Sequence, residues 1–275
     1  MDAPLSPGLY IVATPIGNLG DITLRAIATL RGVTAVACED TRVTGKLLHH
    51  FEIKQKLIRY DDHASEATRD HILALASQQP VALVSDAGTP LISDPGFKLV
   101  RAARERGIPV TSLPGPSAAI MALTLAGLPS DRFLFAGFLP NKDKARRDTL
   151  RGLATVDATL VFYETAPRLT DALAAIGEEL PGREVAVARE LTKRFEECRT
   201  GSADELVAHY SAHPPKGEIA LVIAPPGEAA AIEHDVDALL RAALSIGKAS
   251  QAAAAVAKAT GLDRKALYGR AMELK

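Results

Sequence analysis

Apolar runs and polar turns alternate with a steady beat along roughly the first hundred residues. The runs fall at residues 9–14, 33–38, 57–60, 81–85 and 109–113, and most are continuous rather than alternating. Continuous runs bounded by turns predict strands buried on both faces of a parallel sheet. Residues 21–31, 65–79 and 96–106 read as helices, and the last ends on the helix-stop pair Arg106-Gly107. Strands alternating with helices predict an α/β sheet with helices on its faces.

Leu113-Pro114-Gly115-Pro116 then breaks the pattern, because it continues neither a helix nor a central strand. Further strands are predicted at residues 133–138, 159–163, 184–189, 196–200 and 218–224. The third and fourth leave no room for a helix between them, so they read as an antiparallel pair in a mixed sheet. Beyond Pro225-Pro226-Gly227 the chain is alanine-rich and carries no strand signal. Gly247 and Gly261 are expected breaks between its helices. The predicted organisation is an N-terminal parallel α/β domain (1–116), a mixed-sheet α/β domain (117–227) and a small helical appendage (228–275).

Composition narrows the class without choosing a function. With 275 residues the chain fits about two domains and a real core. Hydrophobic residues at 47% and charged residues at 24% are ordinary for a globular protein. No apolar stretch approaches the roughly 18 residues of a membrane span. The start lacks a basic and an apolar leader region, and Cys38 and Cys198 stand in unrelated settings, so a reduced cytosolic protein is expected. A formal net charge of -1 excludes a globally basic nucleic-acid binder but not a local basic face.

Candidate chemistry collects where strands end, the usual ligand side of an α/β sheet. Thr14-Pro15-Ile16-Gly17-Asn18-Leu19-Gly20-Asp21 follows the first strand, and its glycine spacing fits neither a dinucleotide nor a triphosphate loop. Ser85-Asp86-Ala87-Gly88-Thr89-Pro90 with Ile92-Ser93-Asp94-Pro95-Gly96 is the densest cluster of turn formers. Asp86 is read as a ligand contact, and Asp94 as the N-cap of a helix starting at Pro95. Ser117 stands at a helix N-terminus, where capping and anion binding are both available. Glu39-Asp40-Thr41-Arg42, Glu164 with Arg168, and Arg189-Glu190 end other strands. Each is either a surface ion pair or part of a polar cleft. Residues 141–151 and Lys193-Arg194 are locally basic, while the seven histidines show no metal-ligand spacing.

These motifs resemble the ribosomal RNA small subunit methyltransferase I family of the tetrapyrrole methylase-like superfamily. The resemblance rests on residues 10–21, Cys38-Glu39-Asp40-Thr41-Arg42, residues 85–96, Pro114-Gly115-Pro116-Ser117-Ala118 and Phe162-Tyr163-Glu164. It spans residues 8–226, and the C-terminal piece resembles that family's small helical domain. It implies a two-domain tetrapyrrole methylase-like fold and a homodimer. It also implies transfer of methyl from S-adenosylmethionine to the ribose 2′-oxygen of a cytidine in 16S rRNA of the small ribosomal subunit. By the same resemblance the cofactor contacts become Pro15, Asp86, Thr89, Ser117, Ala118, Tyr163 and Leu191. Where tetrapyrrole enzymes carry Gly-Gly-Asp-Pro, this chain has Val84-Ser85-Asp86-Ala87, which counts against a porphyrinoid substrate.

No histidine sits at a motif, so a carboxylate is the expected proton acceptor: Asp40 or Glu164, with Glu39 in reserve and Arg42 orienting either it or an RNA phosphate. Arg168, Lys193 and Arg194 are the expected RNA contacts. Glu164 with Arg168 has a second reading, a plain ion pair at a helix start. Two other functions stay in view. One keeps the fold and takes a tetrapyrrole; the other is a helix-turn-helix DNA-binding regulator using Lys248, Lys258, Arg264, Lys265 and Arg270. A regulator would not require the polar turns at 14–21 and 85–96.

Overall fold

The computed structural model describes residues 4–227, 236–245, 247–260 and 263–274. The first three residues, Gly261 and the Lys258 side chain, all used in the readings above, lie outside the described residues. The chain divides into two compact units, Met1–Pro225 and Pro226–Lys275.

The first unit holds two five-stranded sheets. One is built from β1 (Gly8–Val12), β2 (Ala35–Cys38), β3 (Lys56–Arg59), β4 (Pro80–Val84) and β5 (Val110–Leu113), in the order β3-β2-β4-β1-β5. Every pairing in it is parallel. Alternation splits each strand between two apolar layers. In β2, Ala35 and Ala37 face the layer holding Ile72 and Leu99, while Val36 and Cys38 face the one holding Leu30 and Leu48. α1 (Leu24–Gly32), α2 (Thr41–His50), α3 (Glu66–Ala76) and α4 (Phe97–Glu105) cover these layers.

Two helix starts differ from the sequence reading. The stretch expected to be helical from residue 21 opens as a 3₁₀ turn, Leu19–Asp21, and α1 begins only after Thr23, whose side chain accepts the Ala26 N–H at 3.0 Å. α4 begins at Phe97 behind Gly96, which holds φ +133°. Asp94 is therefore not its N-cap, since two residues separate it from the first helical position.

The second sheet is mixed, as expected. Its strands are β6 (Phe133–Phe138), β7 (Thr159–Thr165), β8 (Val185–Arg189), β9 (Glu197–Gly201) and β10 (Glu218–Ile223), ordered β6-β7-β10-β8-β9. Only β6 and β7 run parallel, and β8 and β9 form the predicted antiparallel pair. α6 (Asp143–Gly152), α7 (Leu169–Glu179) and α8 (Ala203–Ala212) accompany one apolar layer. α5 (Ala118–Ala126) lies on the other face, against Ala186, Ala188 and Ala220. Those small side chains let an alanine-rich helix approach closely. Ile16, from the loop after β1, enters the same layer and joins the two sheets.

In the second unit α9 (Val236–Leu244), α10 (Ala249–Thr260) and α11 (Arg264–Glu273) surround Leu240, Ala253, Val256, Leu267 and Ala271. Gly247 lies between α9 and α10, as expected. Arg270 pairs with Asp237 at 2.6 Å and Glu273 at 2.7 Å. That spends one of the cations a DNA-binding reading would use. Among the described residues, no helix is long and apolar enough to cross a membrane.

Candidate active site

Three turns meet above the carboxyl ends of the first sheet, and backbone chemistry holds them together. Thr14 and Gly88 exchange N–H···O bonds of 2.9 and 3.0 Å. The Thr14 hydroxyl donates to the Ser85 carbonyl at 3.2 Å, and the Thr89 hydroxyl donates to the Pro116 carbonyl at 2.9 Å. Gly115 packs so tightly on Ala13 that a Cβ there would lie 2.7 Å from the alanine's own. Gly88 holds φ +75°, a conformation that costs glycine little. Four residues with side chains also take positive φ nearby: Leu91, Ser93, Glu190 and Thr192. Backbone strain of this kind persists only where its surroundings enforce it, and it concentrates at ligand sites.

These turns form one wall of a cleft of about 340 Å³, the size of a small-molecule site. Ile16, Gly88, Thr89 and Asp94 line it from the first sheet's loops. Ser117 and Ala118 line it from the start of α5, and Phe138, Tyr163, Leu191 and Gly217 from the second sheet. The Ser117 hydroxyl makes no capping bond. The Tyr163 hydroxyl takes that role, accepting the Ala119 N–H at 3.2 Å. Phe135 and Phe138 pack edge-on against the tyrosine ring, at 4.9 and 5.5 Å.

Asp94 is the carboxylate whose electrostatics stand out in this cleft. Burial pushes its pKa up to about 6, against the opposing pull of the Ser85 hydroxyl, and Asp86 and Asp62 add to the rise. Glu164 is different in kind. Along β7 Tyr163 belongs to the layer shared with α5, while Glu164 pairs in register with Ile219 of the opposite layer. Its carboxylate accepts the Thr165 N–H at 2.7 Å and faces Arg168 Nη2 at 3.1 Å. Burial raises its pKa, and the Thr165 amide and Arg168 pull it back.

The cleft brings together Thr89, Ser117, Ala118, Tyr163, Glu164 and Leu191. Pro15 is buried and is not among the residues lining the cleft, although its neighbour Ile16 is. Asp86 is exposed, and its Oδ1 accepts the Asp40 N–H at 3.1 Å, which ties the ends of β4 and β2 together. Asp40 caps α2 and grips Arg42 at 2.6 Å, and this hydrogen bonding holds its carboxyl well below the usual carboxylate range. Glu39 follows β2, and burial and the carboxylates of Asp86 and Asp94 raise its pKa. Arg168 is half-buried, donating to the Leu139 carbonyl and to Asn141 as well as facing Glu164. Lys193 folds over Gly17 and binds Glu190 at 3.0 Å and Glu218 at 2.8 Å. Arg194 is exposed and lies over the Phe195 ring at 5.6 Å.

Sequence reasoning missed Asp94, Ile16, Phe138 and Gly217 as cleft residues. Asp94 carried a signal, since it shares the turn cluster of Asp86, but Asp-Pro-Gly also reads as a helix start. Among the described residues, no group of acidic, histidine or cysteine side chains is placed to hold a metal ion.

Comparison with known proteins follows the same lines. Residues 8–207 match the family described as Tetrapyrrole (Corrin/Porphyrin) Methylases. Residues 230–275 match the RsmI C-terminal HTH domain. Among solved structures, diphthine synthase superimposes with a TM-score of 0.61 at 14% identity, covering 78% of this chain and 89% of that one. Uroporphyrin-III-C-methyltransferase from Thermus thermophilus gives 0.55 at 22%, covering 79% and 94%. Fold and cleft thus define a methyltransferase of the tetrapyrrole methylase type. Full-length relatives narrow this further. One named ribosomal RNA small subunit methyltransferase I, from Erythrobacter litoralis (strain HTCC2594), is 67% identical over 272 residues, 99% of this chain and 97% of its own. Another of that name, from Escherichia coli O157:H7, is 48% identical over 279 residues, covering 96% and 94%. The chain belongs to the ribosomal RNA small subunit methyltransferase I family.

Proposed function

We propose that the protein methylates the ribose 2′-oxygen of a cytidine in 16S rRNA of the small ribosomal subunit, with S-adenosylmethionine as methyl donor. The observation that carries the reading is the near-complete likeness to relatives named for small-subunit rRNA methylation. The cleft suits the donor. Ile16 and Leu191 offer apolar surface for a purine, and the positive end of α5 at Ser117 and Ala118 suits a carboxylate. S-adenosylmethionine, when bound, supplies a methyl group already activated on a positive sulfur.

The remaining work belongs to the chain. A ribose hydroxyl is a weak nucleophile and must lose its proton as the new bond forms. We assign that proton to the Asp94 carboxylate rather than to Asp40 or Glu164. Asp40 is committed to Arg42 and the cap of α2. Glu164 is committed to Arg168 and Thr165. A base with pKa near 6 is ionised at neutral pH, and a positioned base contributes about 10²–10⁴-fold. Positioning of the reacting groups supplies much of the rest. Tyr163 sets the start of α5, and Phe138 and Leu191 line the cleft beside it.

We further propose a cytoplasmic homodimer. Its contact is placed by this proposal at the unpaired edge of β6, where Phe133 and Leu134 are exposed on opposite faces of the strand. Light scattering across a dilution series tests the assembly, and a monomer at all concentrations refutes it. The activity is tested by offering labelled donor to small subunits, protein-free 16S rRNA and free nucleotides side by side, then digesting the product to nucleosides. Label in 2′-O-methylcytidine supports the reading. Label in a base, or only in an added tetrapyrrole, overturns it.

A further inference from the structure

The ridge that closes the donor cleft on one side has a second pocket on its other side. Leu191 and Gly217 line the cleft, while their chain neighbours Glu190 and Lys216 line the second pocket. Successive Cα atoms lie about 3.8 Å apart, so the two sites are separated by one thickness of backbone. The ridge is firm. Glu190 packs directly onto Gly217 and binds Lys193, and Lys193 also binds Glu218.

The second pocket, about 470 Å³, has unusual walls. Phe195 stands at its mouth with 64% of its surface exposed, on the short loop between β8 and β9. The same loop carries Glu190 and Thr192 at positive φ, so its conformation is held at some expense. His209 and His213 lie nearly parallel with ring centres 4.8 Å apart. Burial and the nearby Arg199 lower the His209 pKa, which favours the neutral ring. The inner wall includes Arg189, which binds Glu197 at 2.9 Å while its buried Nε–H finds no acceptor among the described residues. Lys216, in the pocket lining, is an exposed cation with no carboxylate partner among the described residues, and Arg194, equally without one, lies over the Phe195 ring just outside that lining.

Flat rings at the mouth and within, an unanswered donor on the inner wall and free cations at the rim are the features proteins use on an unpaired nucleotide. Bases stack on aromatic rings, and phosphates lie against arginine and lysine. Resting on the rRNA reading of the donor cleft, we propose that this pocket takes an unpaired base adjoining the nucleotide whose ribose enters the cleft. Phe195 is its stacking ring, from which Arg194 moves to meet one flanking phosphate while Lys216 holds the other. The device would present one ribose to the donor by anchoring its neighbour.

The experiment compares wild type, F195A, F195W and K216A on intact small subunits and on protein-free 16S rRNA, with donor affinity measured separately by calorimetry. Phe195 is exposed enough that truncation leaves the fold intact. F195A is expected to raise the KM for RNA by roughly tenfold or more. Its kcat and its donor affinity should stay within about twofold of wild type. F195W is expected to restore the KM. The chain contains no tryptophan, so F195W also introduces a sole fluorophore, which should be quenched by stacking when rRNA binds. K216A should lower the salt slope of RNA binding by about one unit. Unchanged KM in F195A on both substrates overturns the proposal. So does a raised KM on intact subunits alone, which would make Phe195 a protein contact. If wild type methylates neither substrate, the rRNA reading itself fails, and the pocket's assignment falls with it.

Discussion

Thr14 and Gly88, 74 positions apart in the chain, face each other as an isolated antiparallel bridge in a sheet that is otherwise entirely parallel. The bridge fixes the two loops after β1 and β4 into one surface and sets Thr89 and Asp94 opposite Tyr163. Gly88 is the residue on which this depends. G88A would force an alanine to φ +75° and push its Cβ to 3.3 Å from Ile16. The expected cost is about 1–2 kcal/mol of stability, together with weakened donor binding. Denaturant melts and donor calorimetry on the same preparation check this; an unperturbed affinity would detach the bridge from the site.

Asp94 predicts a specific dependence on pH. Its pKa is raised by folding to about 6, above the ordinary aspartate value, so the folded state binds a proton more tightly than the unfolded chain. Stability from this group is therefore greatest below about pH 4 and declines as pH rises through about 6. Methyl transfer should run the other way. With both substrates saturating, single-turnover rates should rise with pH below about 6 and level off above it. D94N should lose the rise and about 10²-fold or more in rate. D40N and E164Q should each lose less than about tenfold, measured in the same assay.

The Glu164–Arg168 pair is expected to be structural. Glu164 is fully buried, and its partner also holds the Leu139 carbonyl. R168A would strand the carboxylate at a cost of about 3 kcal/mol or more. R168A combined with E164Q should recover part of that loss, as read from urea midpoints.

Tyr163 is expected to act through α5. Y163F removes the acceptor of the Ala119 N–H, at about 1 kcal/mol. Donor affinity should fall severalfold while the KM for RNA is unchanged, which separates it from Phe195.

Lys193 and Arg194 are neighbours in sequence with different electrostatic surroundings. Lys193 is answered by two glutamates, whereas Arg194 is exposed over a ring. R194A should lower the salt slope of RNA binding by about one, and K193A by less. Equal effects would mean the glutamates release Lys193 when RNA binds.

Much of the architecture was legible because burial on both faces leaves continuous apolar runs. All ten predicted strands are present, with ends shifted by one or two residues at most positions. The antiparallel β8–β9 pair followed from the absence of room for a helix. The helix starts were less legible, since Asp94-Pro95-Gly96 satisfies the local rules for a cap. Gly96 instead takes φ +133°, outside helical backbone, so α4 begins only at Phe97. The cleft was half legible. The helix start after Pro114-Gly115-Pro116 pointed to Ser117, while Thr89, Ala118, Tyr163 and Leu191 came only through the family resemblance. Ile16, Phe138 and Gly217 carry no chemical signature and come together only through packing across two sheets. The side of β7 from which Glu164 projects depends on register, which local pattern does not fix.

The order of strands in the first sheet also dictates a schedule. β1 is synthesised first, yet both its partners, β4 and β5, lie far downstream, and Gly8 pairs with Pro80. At translation rates of about 5–20 residues per second, the strand emerges several seconds before anything exists for it to bond. During that interval Leu9, Ile11 and Val12, all buried in the finished protein, are open to whatever surrounds the nascent chain. The loop that later holds the cleft together is thus among the earliest parts made and waits for Gly88 before it is secured, and a pause in synthesis between residues 15 and 80 would lengthen its exposure rather than help it fold.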